Sequence, residues 1–222
     1  MKGEAWDRMR EMYAARLAET GYSPETLGWT KPKHRLRYRI LTDYWFDGAD
    51  PVGQPASLLD FGCGFGDLAA YCEARGLDID YHGIDLSPDL IAAGRKVFPH
   101  LALDAGSPIE DGLDRSYDVI VSSGAHNYAL ENNEDYIRRT FELFDASSRI
   151  GFAVNFLSDR VNHRNAENYY ASPAKILDLA LSFSRRVQIR HDYMPFEFTI
   201  FVDKRTEFGE LTVFEAFEAD CG

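Results

Sequence analysis

Ala56-Ser-Leu-Leu-Asp-Phe-Gly-Cys-Gly-Phe-Gly-Asp-Leu-Ala69 is a short apolar run that ends in an acid and opens into three alternating glycines. It reads as strand, tight loop, helix. Ser57 to Phe61 has the length and continuous apolar character of a strand buried on both faces, as in a parallel sheet, and Pro55 marks its start. Glycines at 62, 64 and 66 let the backbone turn sharply and bring its N–H groups close to a ligand. Asp60 is the anomaly, because an acid at the carboxyl end of a buried strand needs a partner. That edge is where ligands sit in open α/β sheets.

Dinucleotide folds use Gly-x-Gly-x-x-Gly, whereas the order here is Asp60-x-Gly62-x-Gly64-x-Gly66. A second acid, Asp85, closes the next strand-like run, Tyr81-His-Gly-Ile-Asp85. Together these residues resemble the class I S-adenosylmethionine (SAM)-dependent methyltransferases. In that family the loop packs against the methionine part of SAM and the acid after the second strand holds the ribose hydroxyls. SAM carries a sulfonium and an ammonium, so nearby carboxylates are complementary to it.

Composition narrows the class. The 222 residues suffice for one well-buried core without a linker, and 45% hydrophobic residues is globular usage. No apolar run approaches a membrane span, and the first residues lack the apolar core of a signal peptide, so a cytoplasmic protein is expected. Cys63, Cys72 and Cys221 lack metal spacing and read as reduced thiols, implying neither zinc nor disulfide. The net charge of -12 opposes binding to nucleic acid phosphates.

Two amphipathic helices are expected ahead of the sheet. The first runs from Gly3 to about Thr20 with Trp6, Met9, Met12 or Tyr13, and Leu17 at helical spacing. The second follows Gly28-Trp-Thr-Lys-Pro32, with Leu36, Ile40, Leu41, Tyr44 and Trp45 on one side and His34, Arg35, Arg37 and Arg39 on the other. Trp29, His34, Arg37 and Tyr38 look like the N-terminal cap of small-molecule methyltransferases. Arg37 either holds the SAM carboxylate or an anionic substrate, or belongs to a solvated basic face.

Beyond the loop, signals of strand and helix alternate. A helix is expected over Asp67 to Arg75 with Gly76 as its stop, then a strand over Tyr81 to Asp85. Ser87-Pro88-Asp89 starts a helix to about Val97. Leu101 to Ala105 reads as a short strand; the resemblance implies an adenine contact at Asp104 or Ala105, and a turn cap is the plainer reading. Tyr117 to Ser122 is a strong strand, followed by a helix from Glu134 to about Asp145 whose Tyr136, Ile137, Phe141 and Phe144 pack in the core. Arg149 to Leu157 is a fifth strand, without the Pro-Gly-Gly turn that precedes it in much of the family. Residues 158–171 form a polar lid, Ser172-Pro173 starts a last helix, and Arg186 to Tyr193 with Glu197 to Asp203 suits an antiparallel hairpin.

These signals specify one α/β domain over 1–222 with a doubly wound seven-stranded sheet, mostly parallel with an antiparallel last strand. It divides into a helical cap (1–49), a SAM-binding core (50–204) and a tail (205–222). The resemblance implies SAM as cofactor, held by Asp60, Gly62, Cys63, Gly64, Gly66, Asp85, Leu86, Asp104, Ala105 and Ser122, with Trp29 and Arg37 from the cap. A small-molecule acceptor methylated at oxygen or nitrogen is expected, in a monomer or homodimer, and the charge, the cysteine spacing and the lack of a long apolar run lead to no nucleic acid, no metal and no membrane being expected. His126, just past the fourth strand, is the first candidate for a general base, although it could instead cap a helix or orient a loop. Tyr128, Tyr169 and Tyr170 join it as catalytic candidates, with Asn155 and His191 as weaker pocket residues. A SAM-binding subunit without turnover and a nicotinamide-dependent oxidoreductase are the alternatives.

Overall fold

The computed structural model describes residues 4–29, 33–47 and 55–221. Gly3, the Thr30–Pro32 approach to the second helix, and the expected boundary between cap and core at 49–50 lie outside the described residues. Helices α1 (Glu4–Thr20) and α2 (Lys33–Phe46) precede β1 (Ser57–Phe61), α3 (Asp67–Ala74), β2 (Asp80–Asp85), α4 (Pro88–Val97) and β3 (Ala102–Ala105). The chain continues through α5 (Pro108–Asp111), β4 (Tyr117–Ser123), α6 (Asn133–Ser147), β5 (Ser148–Leu157), α7 (Pro173–Leu181), β6 (Arg186–Met194) and β7 (Glu197–Asp203).

The strands form one sheet in the order β3-β2-β1-β4-β5-β7-β6, in which β7 runs antiparallel to both its neighbours. All five residues of β1 are buried, because it pairs in parallel with β2 and β4 at the centre. Alternation then sorts its side chains. Leu58 joins Val119, Val121 and Ala153 in a core under α2, α3 and α4. Leu59 joins Ile120, Phe152 and Val154 in a second core under α6 and α7. Helices on both faces make the sheet doubly wound, as the sequence predicts.

Local chemistry sets the element ends. Ser87 Oγ accepts from Leu90 N at 3.3 Å, and Asn132 Oδ1 accepts from Asp135 N at 3.0 Å, each occupying an N–H left open at a helix start. Helix α6 runs straight into β5 with no intervening turn. Lys204 Nζ donates to the carbonyls of Asp145 at 2.5 Å and Ser148 at 2.7 Å, satisfying acceptors that a Pro-Gly-Gly turn would otherwise rearrange. Two short elements were not expected: α5, and a 3-10 turn over Glu215–Cys221 in the tail.

The cap and the lid meet above the carboxyl edge. Tyr22, in the turn after α1, donates to Asp67 Oδ1 at 2.5 Å and packs its ring on Phe65. At the other end of α1, Trp6 meets the Tyr136 ring at 5.1 Å. The segment 158–171, expected as a lid, is pinned at its base by a bridge between Ser158 and Ala171 and bridged to the loop after β4 between Tyr128 and Asn168.

Candidate functional site

At the end of β1 the backbone folds over β2: Gly62 N and Cys63 N both donate to the Ile84 carbonyl, at 2.8 and 3.2 Å. Gly62 has φ 77°, and a Cβ there would lie 2.5 Å from the Ala125 Cβ. The close approach is therefore to the loop after β4. Gly66, at φ 90°, is the N-cap of α3, where a Cβ would press on Leu103. Its expected cofactor contact is corrected: Gly66 starts a helix and does not line the cavity, whereas Asp60, Gly62, Cys63 and Gly64 do.

That cavity, of about 350 Å³, lies between the glycine loop, the cap and the lid. Asp85 stands in its wall and accepts from Gly64 N at 2.9 Å and Ser87 N at 2.8 Å. Desolvation raises its carboxyl, and these two backbone donors act in the opposite direction. Asp60 accepts from the Tyr81 hydroxyl at 2.8 Å. Burial pushes its carboxyl up to about 7, opposed by the Tyr81 bond and reinforced by the charges of Asp85 and Asp67.

Arg37 leaves no room for the reading as a solvated basic face, being only 6% exposed. Its Nε donates to Glu197 Oε2 at 2.5 Å and its Nη2 to Glu197 Oε1, while its guanidinium carbon lies 3.8 Å from the Trp29 ring centre. Nη1 is buried with no partner among the described residues, and Arg37 and Trp29 both line the cavity. Ser107 Oγ and Ser123 Oγ are two further unpartnered buried atoms on cavity-lining residues. Orphaned donors and hydroxyls are costly in a closed interior, so their clustering at one cavity marks a wall made for a polar ligand. Two carboxyls beside the loop and an unpaired guanidinium nitrogen suit SAM, which offers an ammonium, ribose hydroxyls and a carboxylate.

Several expected site residues lie elsewhere. His126 is 1% exposed and sits among the rings of Phe61, Tyr136 and Phe156, at centroid distances of 6.2, 5.2 and 5.4 Å. Burial lowers its imidazole to about 3, and it does not line the cavity, so its placement as a base is corrected to a packing position. Ser122 is fully buried beside it, with Oγ 3.5 Å from His126 Nδ1, because it shares the α6 face of β4 with Ile120. Neighbouring Ser123 takes the cavity position. Asp104 points outward from the edge strand β3 to His82 and Arg95, and the lining residues there are Gly106, Ser107 and Pro108 in place of Asp104 and Ala105. Tyr169 and Tyr170 line a neighbouring polar cavity instead. Leu86 and Tyr128 line the main one as expected, whereas Asn155 and His191 do not.

Other lining residues were not singled out as a site. Met9, Tyr13 and Arg16 present one face of α1, whose helical spacing signals burial without saying against what. Ser107-Pro108 repeats the helix-start signal of Ser87-Pro88, and that repetition is legible. Asn165, Glu167 and Asn168 come from the aperiodic lid, which gives no signal for individual side chains.

Comparison with known proteins gives the family. The methyltransferase domain family matches residues 59–148. The Mycobacterium tuberculosis (strain ATCC 25618 / H37Rv) protein named "Putative methyltransferase Rv1506c" is 38% identical over 161 residues, covering 69% of this chain and 96% of that one. Among solved structures, magnesium protoporphyrin IX methyltransferase (ChlM) from Synechocystis PCC 6803 with bound S-adenosylhomocysteine (SAH) superposes with a TM-score of 0.63. It is 10% identical, over 90% of this chain and 99% of that chain. The plantazolicin methyltransferase BpumL, in complex with a triazolic desmethylPZN analog and SAH, gives 0.64 at 15% identity, over 90% and 98%. The chain belongs to the class I SAM-dependent methyltransferases.

Proposed function

We propose that this methyltransferase acts on a small molecule at oxygen or nitrogen, and that SAM lies with its ribose on Asp85 and its methionine portion between Asp60 and Arg37. The observation that carries the reading is the cavity of about 350 Å³, partly open to solvent, between the glycine loop, the N-terminal helices and residues 158–171, near the lower end of small-ligand sites. Helix α1 and the lid cover it from above, which suits a small acceptor better than a polymer. The net charge of -12 supports the same choice against nucleic acid. ChlM and BpumL, which share the fold, are named for a porphyrin and for plantazolicin.

Methyl transfer needs the acceptor atom held in line with the sulfonium methyl, about 3 Å away, with water excluded. Cap and lid supply the enclosure. Arg37 Nη1, its charge balanced by Glu197, offers a fixed donor to the SAM carboxylate, and Trp29 keeps the guanidinium plane in place. We take residues 1–222 to work as one domain, in the cytoplasm, as a monomer or homodimer; no helix among the described residues is long and apolar enough to cross a membrane.

Incubation of the full chain with methyl-labelled SAM and a cell extract divided by size tests the reading. Label is expected in the small-molecule fraction. Label confined to nucleic acid or protein overturns it, and SAM binding without transfer to any fraction favours a silent partner subunit.

A further inference from the structure

We infer that Glu167 is the proton acceptor for a polyhydroxylated acceptor molecule that binds across the methyl-transfer cavity and the neighbouring one, where Asn165 and Asn168 line both. The inference rests on the small-molecule reading above and names its substrate class.

Asn165 and Asn168 line two cavities at once: the one between the glycine loop and the N-terminal helices, and an outer one of about 590 Å³ between residues 158–171 and the start of α6. The two spaces share a wall. The inner cavity is faced by Trp6, Met9, Met12 and Leu27 from the cap, whereas the outer one is faced by polar groups, among them Glu131, Asn132 and Arg164, with the Tyr170 ring beneath the Arg164 guanidinium at 5.3 Å. Side-chain amides both donate and accept, as each hydroxyl of a polyol does. Asn132, Asn133, Glu134, Arg164, Asn165 and Tyr170 already bond within the protein, whereas Glu131, Asn168 and Tyr169 make no side-chain hydrogen bond among the described residues and are the groups open to such a ligand. Asn168 makes no side-chain hydrogen bond among the described residues, and its amide is left for a ligand.

Glu167 stands between these two asparagines in sequence, an exposed residue on the rim of the inner cavity with its backbone fixed. Its N–H donates to Asn165 Oδ1 at 2.9 Å, its carbonyl accepts from Ala129 N at 2.9 Å, and the bridge from Tyr128 to Asn168 holds the next residue. No side-chain partner engages its carboxylate among the described residues. The other two cavity carboxyls are committed, Asp85 to Gly64 N and Ser87 N and Asp60 to Tyr81. His126 is buried away from the cavity, which leaves Glu167 as the cavity-lining carboxylate without a side-chain partner among the described residues. Carboxylates perform this task elsewhere, as in the kinase catalytic loop. Glu167 takes the hydroxyl proton as the oxygen bonds to the methyl carbon and the carbon–sulfur bond of SAM breaks; SAH leaves and the proton passes on to solvent.

The full chain is first titrated with SAH by calorimetry, then supplied with methyl-labelled SAM and methyl α-D-mannopyranoside, methyl α-D-glucopyranoside, myo-inositol, spermidine or benzoate. Transfer to at least one of the three polyols is expected. Glu167→Gln should lower kcat about 100-fold or more with SAH affinity and acceptor KM nearly unchanged. Asn168→Ala should raise acceptor KM about tenfold, as the loss of one hydrogen bond, with SAH affinity again unchanged. Transfer only to spermidine or benzoate, transfer to none of the polyols, or full turnover in Glu167→Gln overturns the inference. Failure of SAH to bind would instead overturn the reading on which it rests.

Discussion

Arg37 on α2 and Glu197 at the start of β7 form a buried two-point ion pair across 160 residues of sequence, tying the cap to the strand that completes the sheet. Of the three N–H-bearing nitrogens of Arg37, Nη1 is left for the cavity. Removing one partner strands the other charge in an apolar interior, which costs about 3 to 5 kcal/mol. Arg37→Met should therefore unfold at much lower urea concentration, and Arg37→Met combined with Glu197→Leu should recover most of the loss. Equal stability of the single and double variants would show that the pair does not anchor the cap.

Asp60 makes cofactor binding depend on pH. Its carboxyl lies at about 7 in the free protein, above the unfolded value of about 4, so its contribution to stability is greatest below pH 4 and is lost as pH rises toward 7. A ligand ammonium beside it favours the ionised form. SAH should therefore bind with proton release near pH 6 to 7, weakening toward about tenfold per unit at lower pH. Calorimetry in buffers of different ionisation enthalpy reads the released proton. In Asp60→Asn the release should vanish.

His126 offers a contrast in sign. Burial holds its imidazole near 3, below its unfolded value of about 6.5, so the neutral ring stabilises the fold above pH 6.5 and that stability drains away as the pH falls toward 3. About 2 kcal/mol is lost between pH 6.5 and 5. His126→Leu should flatten the acid side of the stability profile and keep turnover within about tenfold, where loss of a base would cost about 100-fold or more. A collapse of turnover with intact SAH binding would restore His126 to the chemistry.

Asp85→Ala should weaken SAH binding by about 1.5 to 3 kcal/mol, the worth of hydrogen bonds to a charged acceptor. Unchanged affinity measured by calorimetry would remove the ribose from Asp85.

What the sequence discloses and what it hides divide along local and distant interactions. The strand, acid and glycines from Ser57 to Gly66, the Ser87-Pro88 helix start and the Gly76 stop are written in neighbouring residues, and the structure realises each. The sheet edge follows from them, and with it the cavity positions of Asp60 and Asp85. His126 and Ser122 were misplaced because proximity in sequence to the end of β4 does not say which face of the sheet a side chain joins; theirs is the face under α6. Asp104 was misplaced because β3 is an edge strand, where an acid can turn to solvent and pair with Arg95. Glu167 and Asn168 are fixed by backbone contacts with Ala129 and Tyr128, and Asn165 by the Tyr170 hydroxyl, contacts that no periodicity in residues 158–171 announces.

The most direct test is calorimetric titration of the purified, dialysed full chain with SAH, alongside NAD in a parallel cell. Micromolar binding of SAH and none of NAD is the predicted result. Binding of NAD without SAH would contradict the assignment of the glycine loop and Asp85 to SAM.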